Sequence, residues 1–213
     1  MKLLKELRVV FIFVIFMFGC ATDKIFIYKD FGMENENIRV IFVKVVVDDE
    51  YKQKNKNWRE RIIGLFDEVS AIYEKQFKIK LVLKDIKEWS SESDNSNRMA
   101  MFHEVKKKFQ ITPEVDVVVA FTNQKTNYIW WHGTAEQLGN YVLVGVSGGD
   151  NFFERRIITH EVGHLFGAID YDGYHGSPFS VMNYDFFKET DYFDAESVKI
   201  IMKNKFRNFH KAE

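Results

Sequence analysis

The chain has 213 residues, 46% of them hydrophobic, enough for one domain with its own core and too apolar for a disordered chain. Its formal net charge of −1, with no basic cluster beyond the short run Lys106–Lys108, argues against a nucleic-acid binder. A single cysteine, Cys20, leaves no intrachain disulfide to form, so packing must supply the stability.

The first element is a targeting pattern. Lys2, Lys5 and Arg8 precede the apolar run Val9–Phe18. That run is shorter than the roughly 20 residues a membrane-spanning helix needs and suits the apolar region of a signal peptide. Residues 1–19 are therefore expected to direct export. "FMFGC" resembles a bacterial lipobox, which implies lipidation of Cys20 and membrane attachment through that lipid. Gly19-x-Ala21 is alternatively a plain cleavage site, giving a secreted protein. Residues 20–37, polar and irregular apart from "IFIY", read as a tether.

Residues 38–213 read as one α/β domain. "IRVIFVKVVV" (Ile38–Val47) is β-branched and nearly continuous, as in a buried strand. Trp58, Ile62, Leu65, Phe66, Val69, Ile72 and Tyr73 then recur at helical spacing, with Asn57 as the expected N-cap. "KIKLVLKDIKEW" (Lys78–Trp89) alternates as a second strand. Ser90–Asn97 is a loop, and Arg98–Phe109 a second helix carrying a surface His103. Val115–Thr122 is a third strand. After Trp130, Trp131 and His132, the stretch Gly133–Gly139 holds a short strand, and Asn140–Val146 a further one. Asp150 or Asn151 caps a helix over Phe152–Phe166, which Gly167 ends. The last helix has Asp194 as N-cap and a stripe of Val198, Ile201, Met202 and Phe206.

The chemistry concentrates in "THEVGHLFGAIDYDGYHGSPFSVMNY", residues 159–184. His160 and His164, four apart on a helix, share one face and can converge on one zinc ion. Glu161 is rotated about a quarter-turn from them, within reach of a water on the metal as general base. Gly167 can take the left-handed conformation that turns the chain back toward the metal. The third ligand is then Asp170 or His175. Spacing from Gly167 favours Asp170.

This pattern resembles the metzincin clan of zinc metallopeptidases. His160, Glu161, His164, Gly167 and Asp170 match its elongated motif, with the aspartate found in snapalysin-like members. Met182 matches the methionine of the turn beneath the zinc. Tyr184 matches the tyrosine that astacin-like and serralysin-like members hold near the metal. The resemblance implies a twisted mixed sheet, mostly parallel, with a short antiparallel edge strand near Gly133–Gln137. An active-site helix and a C-terminal helix complete that fold. It implies one catalytic zinc and a monomeric endopeptidase acting on extended protein substrates, with Trp130, Trp131 and His132 flanking the cleft. Phe186 and Phe187 would wall an apolar pocket beyond the methionine turn. With Cys20 so near the first strand, no cysteine-bearing prodomain is expected to block the zinc.

Two rivals remain at this point. One is a peptidase that takes its third ligand from a downstream helix, with Glu196 as the candidate. The other is an exported protein that keeps zinc without turnover.

Overall fold

Val and Ile at alternate positions make Arg39–Asp48 a strand, β1, buried on both faces at its C-terminal end. The computed structural model describes residues 37–92, 97–124, 132–145, 151–171, 177, 179–183 and 190–210. In chain order, β1 is followed by helix α1 (Asp49–Lys54), helix α2 (Trp58–Phe77), strand β2 (Ile79–Trp89) and helix α3 (Arg98–Lys108). Strands β3 (Val117–Thr122), β4 (Gly133–Ala135) and β5 (Tyr141–Gly145) come next, then helices α4 (Asn151–Leu165) and α5 (Ala195–Asn204). The compact unit begins at Ile38.

The sheet runs β2-β1-β3-β5-β4. Its first four strands are parallel, and β4 lies antiparallel to β5 at the end of the sheet. The expected mixed sheet with an antiparallel edge strand is therefore present. Residue parity divides the core between the two faces, as the pleat requires. Val117, Val119, Phe121, Val142 and Val144 join α2 and α4 on one side. Val118, Ala120 and Leu143 join Met101, Phe102 and Val105 of α3 on the other.

Strand β2 breaks its own alternation. Val43 pairs with Leu83 but Lys44 pairs with Asp85, so Lys84 is an extra residue in a bulge. The slip explains why Leu81 faces the larger core while Trp89, of the same parity, faces the smaller one. Exposed Lys80, Lys84 and Lys87 line this outer strand, a charge pattern that discourages edge-to-edge pairing.

Several expected details are corrected. Helix α1 was not foreseen, although its signals are present: Asp48 accepts from Tyr51 N at 2.7 Å and acidic residues occupy the first turn. Asn57 occupies the N-cap position of α2 without a side-chain capping bond. Strand β3 starts at Val117 rather than Val115, which instead closes a turn onto Thr112. Phe206 leaves the C-terminal stripe: α5 ends at Asn204, Phe206 is exposed, and Phe209 is buried in its place. Asp150, Trp130 and Trp131 lie outside the described residues. No helix among the described residues is long and apolar enough to cross a membrane.

The start of α4 is fixed by a buried charge. Glu154 Oε2 accepts from Tyr51 Oη at 3.0 Å and from Arg61 Nε at 2.8 Å, with the Glu154 side chain 1% exposed. Burial, then the Glu154 charge, pushes the Tyr51 hydroxyl's pKa well up, so it stays a donor. Removing one member of a buried ion pair strands the other, at about 3 kcal/mol for a partly exposed partner. Glu154→Ala should therefore lower Tm by about 6–12 °C. Thermal unfolding checks this, with Glu68→Ala as the exposed-pair control expected to cost little.

Candidate metal centre

Helix α4 carries His160, Glu161 and His164, all on a segment packed between the sheet and α2. At the residue just before His160, Tyr73 of α2 donates its buried hydroxyl to Thr159 O at 2.7 Å, fixing the helix where the histidines begin. The helix must then stop. Gly167 takes φ +88°, the one positive-φ glycine among the described residues, and its N–H returns to His164 O at 2.8 Å. Ala168 N reaches Gly163 O at 3.1 Å.

A helix end leaves carbonyls without partners, and here each finds one. Leu138 N donates to His164 O at 2.9 Å. Arg207 donates to Leu165 O at 3.1 Å and also to Leu138 O, putting a cation at the negative end of the helix. Asn204 Nδ2 donates to Phe166 O at 2.9 Å, and Gln137 Nε2 to Gly167 O at 3.0 Å. The turn after β4 and the C-terminal segment thus hold the bend that delivers Asp170.

Three atoms converge beyond that bend. Asp170 Oδ1 stands 3.0 Å from His160 Nε2 and 3.2 Å from His164 Nε2, and the two nitrogens are 3.2 Å apart. The far ring nitrogens are committed: His160 Nδ1 lies 2.9 Å from Val181 O and His164 Nδ1 2.8 Å from Ala168 O. A carbonyl only accepts, so each Nδ1 must carry a proton, which leaves Nε2 of each ring as the atom able to ligate a metal. Two lone pairs and a carboxylate oxygen cannot sit this close without a positive charge among them. Ligands at about 2.0–2.1 Å from a tetrahedral zinc stand about 3.3–3.4 Å apart, close to the three separations here. The set fits zinc. Among the described residues it is the one His/Cys/Asp/Glu cluster able to hold a metal ion.

Without a metal, a proton on an imidazole Nε2 supplies that positive charge, and the acid–base shifts reflect it. Burial would raise the Asp170 carboxyl, but its hydrogen bonds to the two imidazoles win and push it far below the usual range. Burial opposes charge on His164, and Asp170 and Glu161 outweigh it, raising its pKa. Glu161 is 6% exposed; burial pushes its carboxyl up, while the neighbouring imidazoles and, more weakly, Arg98 pull it back.

The methionine turn underlies the site. A Cβ on Gly163 would meet Met182 Sδ at 2.9 Å, so Met182 packs directly on the helix between the two histidines. Val181 O orients His160, and Tyr171 N donates to Met182 O at 3.1 Å beside Asp170. Buried Arg156, one turn before His160, points its guanidinium at Asn183 O, 3.3 Å away. Ser180 Oγ donates to Asp194 Oδ2 at 2.6 Å and accepts from Met182 N at 3.2 Å. The N-cap of α5 is thereby fastened to the turn, since Asp194 Oδ1 also accepts from Glu196 N and Ser197 N.

His160, Glu161, His164, Gly167, Asp170 and Met182 are thus brought together. Glu196 is not: it is exposed, on the surface of α5, pairs with Lys199 at 3.5 Å, and stands outside the cluster of His160, His164 and Asp170. His175, Tyr184, Phe186, Phe187 and Cys20 lie outside the described residues. Arg156, Ser180 and the Asp194 link were missed from sequence, where nothing but an arginine in the apolar run "RRII" hinted at them.

Residues 37–210 match the model of metallo-peptidase family M12, a reprolysin-type model. The chain belongs to that family and is a metzincin-like zinc metallopeptidase. The archaemetzincin of Methanopyrus kandleri superposes with TM-score 0.59 at 13% identity, over 78% of this chain and 96% of that one. A chain from a chaperone–substrate complex superposes with TM-score 0.56 at 15% identity, over 78% of this chain and 38% of that one. No curated protein matches the sequence.

Burial pushes the Asp194 carboxyl up, but hydrogen bonds from Ser180, Ser197 and the helix N–H groups outweigh it, leaving the pKa below the ordinary 3.8. A depressed carboxyl stabilises the fold above its unfolded pKa and loses that contribution as pH falls through its folded value. Asn caps a helix about as well as Asp. Asp194→Asn should therefore cost stability at neutral pH, and the deficit should shrink below about pH 4. Urea unfolding across that range measures it; a deficit independent of pH would contradict the assignment.

Proposed function

We propose that this protein is an endopeptidase that hydrolyses extended protein segments, using one zinc held by His160, His164 and Asp170. The observation that carries the reading is the convergence of two imidazole Nε2 atoms and one carboxylate oxygen, 3.0–3.2 Å from one another, with both Nδ1 atoms committed to carbonyls. Zinc held there supplies Lewis acidity toward a scissile carbonyl and lowers the pKa of a coordinated water. Glu161 takes the proton of the attacking water and delivers it to the leaving amine. Its burial keeps competing water away from the carboxylate. Strand β4, at the end of the sheet, is the natural rail for a substrate strand, which would bind through main-chain hydrogen bonds. Tyr184 is proposed to hydrogen-bond the developing oxyanion. The remaining spare histidine, His175, has no role in this scheme.

We also assign residues 1–19 to an export signal and 20–37 to a tether, with Cys20 lipidated at the cell envelope. Support for this is the basic and apolar pattern of the N-terminus alone. Cys20→Ser should abolish incorporation of labelled palmitate while leaving the catalytic domain intact.

The main test uses purified protein from residue 38 onward alongside the full chain. Asp170→Ala should lose zinc and His175→Ala should keep it. Glu161→Gln should keep zinc while casein hydrolysis falls by about 100-fold or more. Chelator should abolish hydrolysis, and added zinc should restore it. Zinc retained by a wild-type protein that cleaves nothing would instead mark a binding protein.

A further inference from the structure

Gly133, the first residue of β4, stands against the side chain of Glu161. A Cβ built there would lie 2.6 Å from both Cγ and Cδ of Glu161, and nearer still to Oε1. Real side chains do not approach so closely. The usual backbone reason for a glycine does not apply, since Gly133 is not among the positive-φ residues. It pairs with Val144 in an ordinary antiparallel register, a conformation any residue adopts. What the position requires is the absence of a side chain.

Neither partner can retreat easily. The strand is tied to β5 by its ladder, and Gly145 N donates to His132 O at 2.9 Å. The His132 ring packs edge-on against Phe153 of α4, with centroids 4.7 Å apart and planes at 85°. At the other end of β4, Gln137 and Leu138 hold the last carbonyls of the same helix. Strand and helix are pinned on both sides of the contact, so an added methyl would have to be absorbed by the Glu161 side chain.

We propose that Gly133 is a positioning residue, whose missing side chain leaves the space in which the Glu161 carboxylate stands. The catalytic part of this role rests on the peptidase reading above. The strand along which substrate would lie and the base that would act on it are in direct contact. Any residue with a Cβ at 133 turns the carboxylate away from the water it must deprotonate. Misplacing a reacting group by about 1 Å can cost about 100-fold in rate.

The experiment is a double-mutant cycle on the zinc-loaded protein: wild type, Gly133→Ala, Glu161→Ala and the double variant. Gly133→Ala should keep one zinc per chain and a KM within about threefold of wild type, while kcat falls by about tenfold or more. In the presence of Glu161 it should lower Tm by about 3 °C or more, the cost of overpacking. On the Glu161→Ala background that Tm cost should vanish. If Gly133→Ala alone fails to fold, the double variant should fold. A Tm cost that is the same with and without the Glu161 side chain, or a wild-type kcat in Gly133→Ala, overturns the proposal. A wild-type protein that cleaves no peptide would defeat the peptidase reading, while the Tm cycle would still decide the contact.

Discussion

Everything in this fold that bears on chemistry answers one electrostatic constraint. Two imidazole lone pairs and a carboxylate oxygen are held about 3 Å apart, and such a set is repulsive unless a cation joins it. The cost of holding it is spread over many fixed groups. Val181 O and Ala168 O settle the tautomers, Gly167 returns the chain, and Met182 fills the floor. They come from two stretches, Gly167–Ala168 and Val181–Met182, that pack on the helix carrying His160 and His164.

The tightest coupling runs through the end of the active-site helix. Its terminal carbonyls are taken up by the turn after β4 and by Asn204 and Arg207 near the C-terminus. Arg207 also donates to Gly139 O at 3.0 Å, so one guanidinium spans both structures. The edge strand and the metal-bearing turn therefore share a foundation. Under the proposed function, a substrate strand added to β4 would meet a surface whose spacing to His160, His164 and Asp170 is already set, which is the preorganisation catalysis needs.

Much of this was legible in the sequence because it is local. The stripe Ile62–Leu65–Phe66–Val69–Tyr73 is a helix period, and Val117–Thr122 is a buried strand, each readable within a dozen residues. The i, i+4 histidines with Gly167 and Asp170 are likewise local, and they specified the candidate ligands. The unread parts join residues far apart in the chain: Gly133 with Glu161, Ser180 with Asp194, Arg207 with Leu165. No periodicity encodes such pairs. The bulge at Lys84 and the early end of α5 escaped for a related reason, since a one-residue slip in register changes faces without changing composition. Phe206 fits the helical stripe on paper and is exposed because the helix stops first.

The central claim concerns the metal and its ligands, and zinc K-edge X-ray absorption on the purified, zinc-loaded protein addresses it directly. The account predicts one zinc per chain bound by nitrogen and oxygen at about 2.0–2.1 Å, with scattering from two imidazoles and no sulfur. A site with three imidazoles, or a protein that holds no stoichiometric zinc, would contradict it.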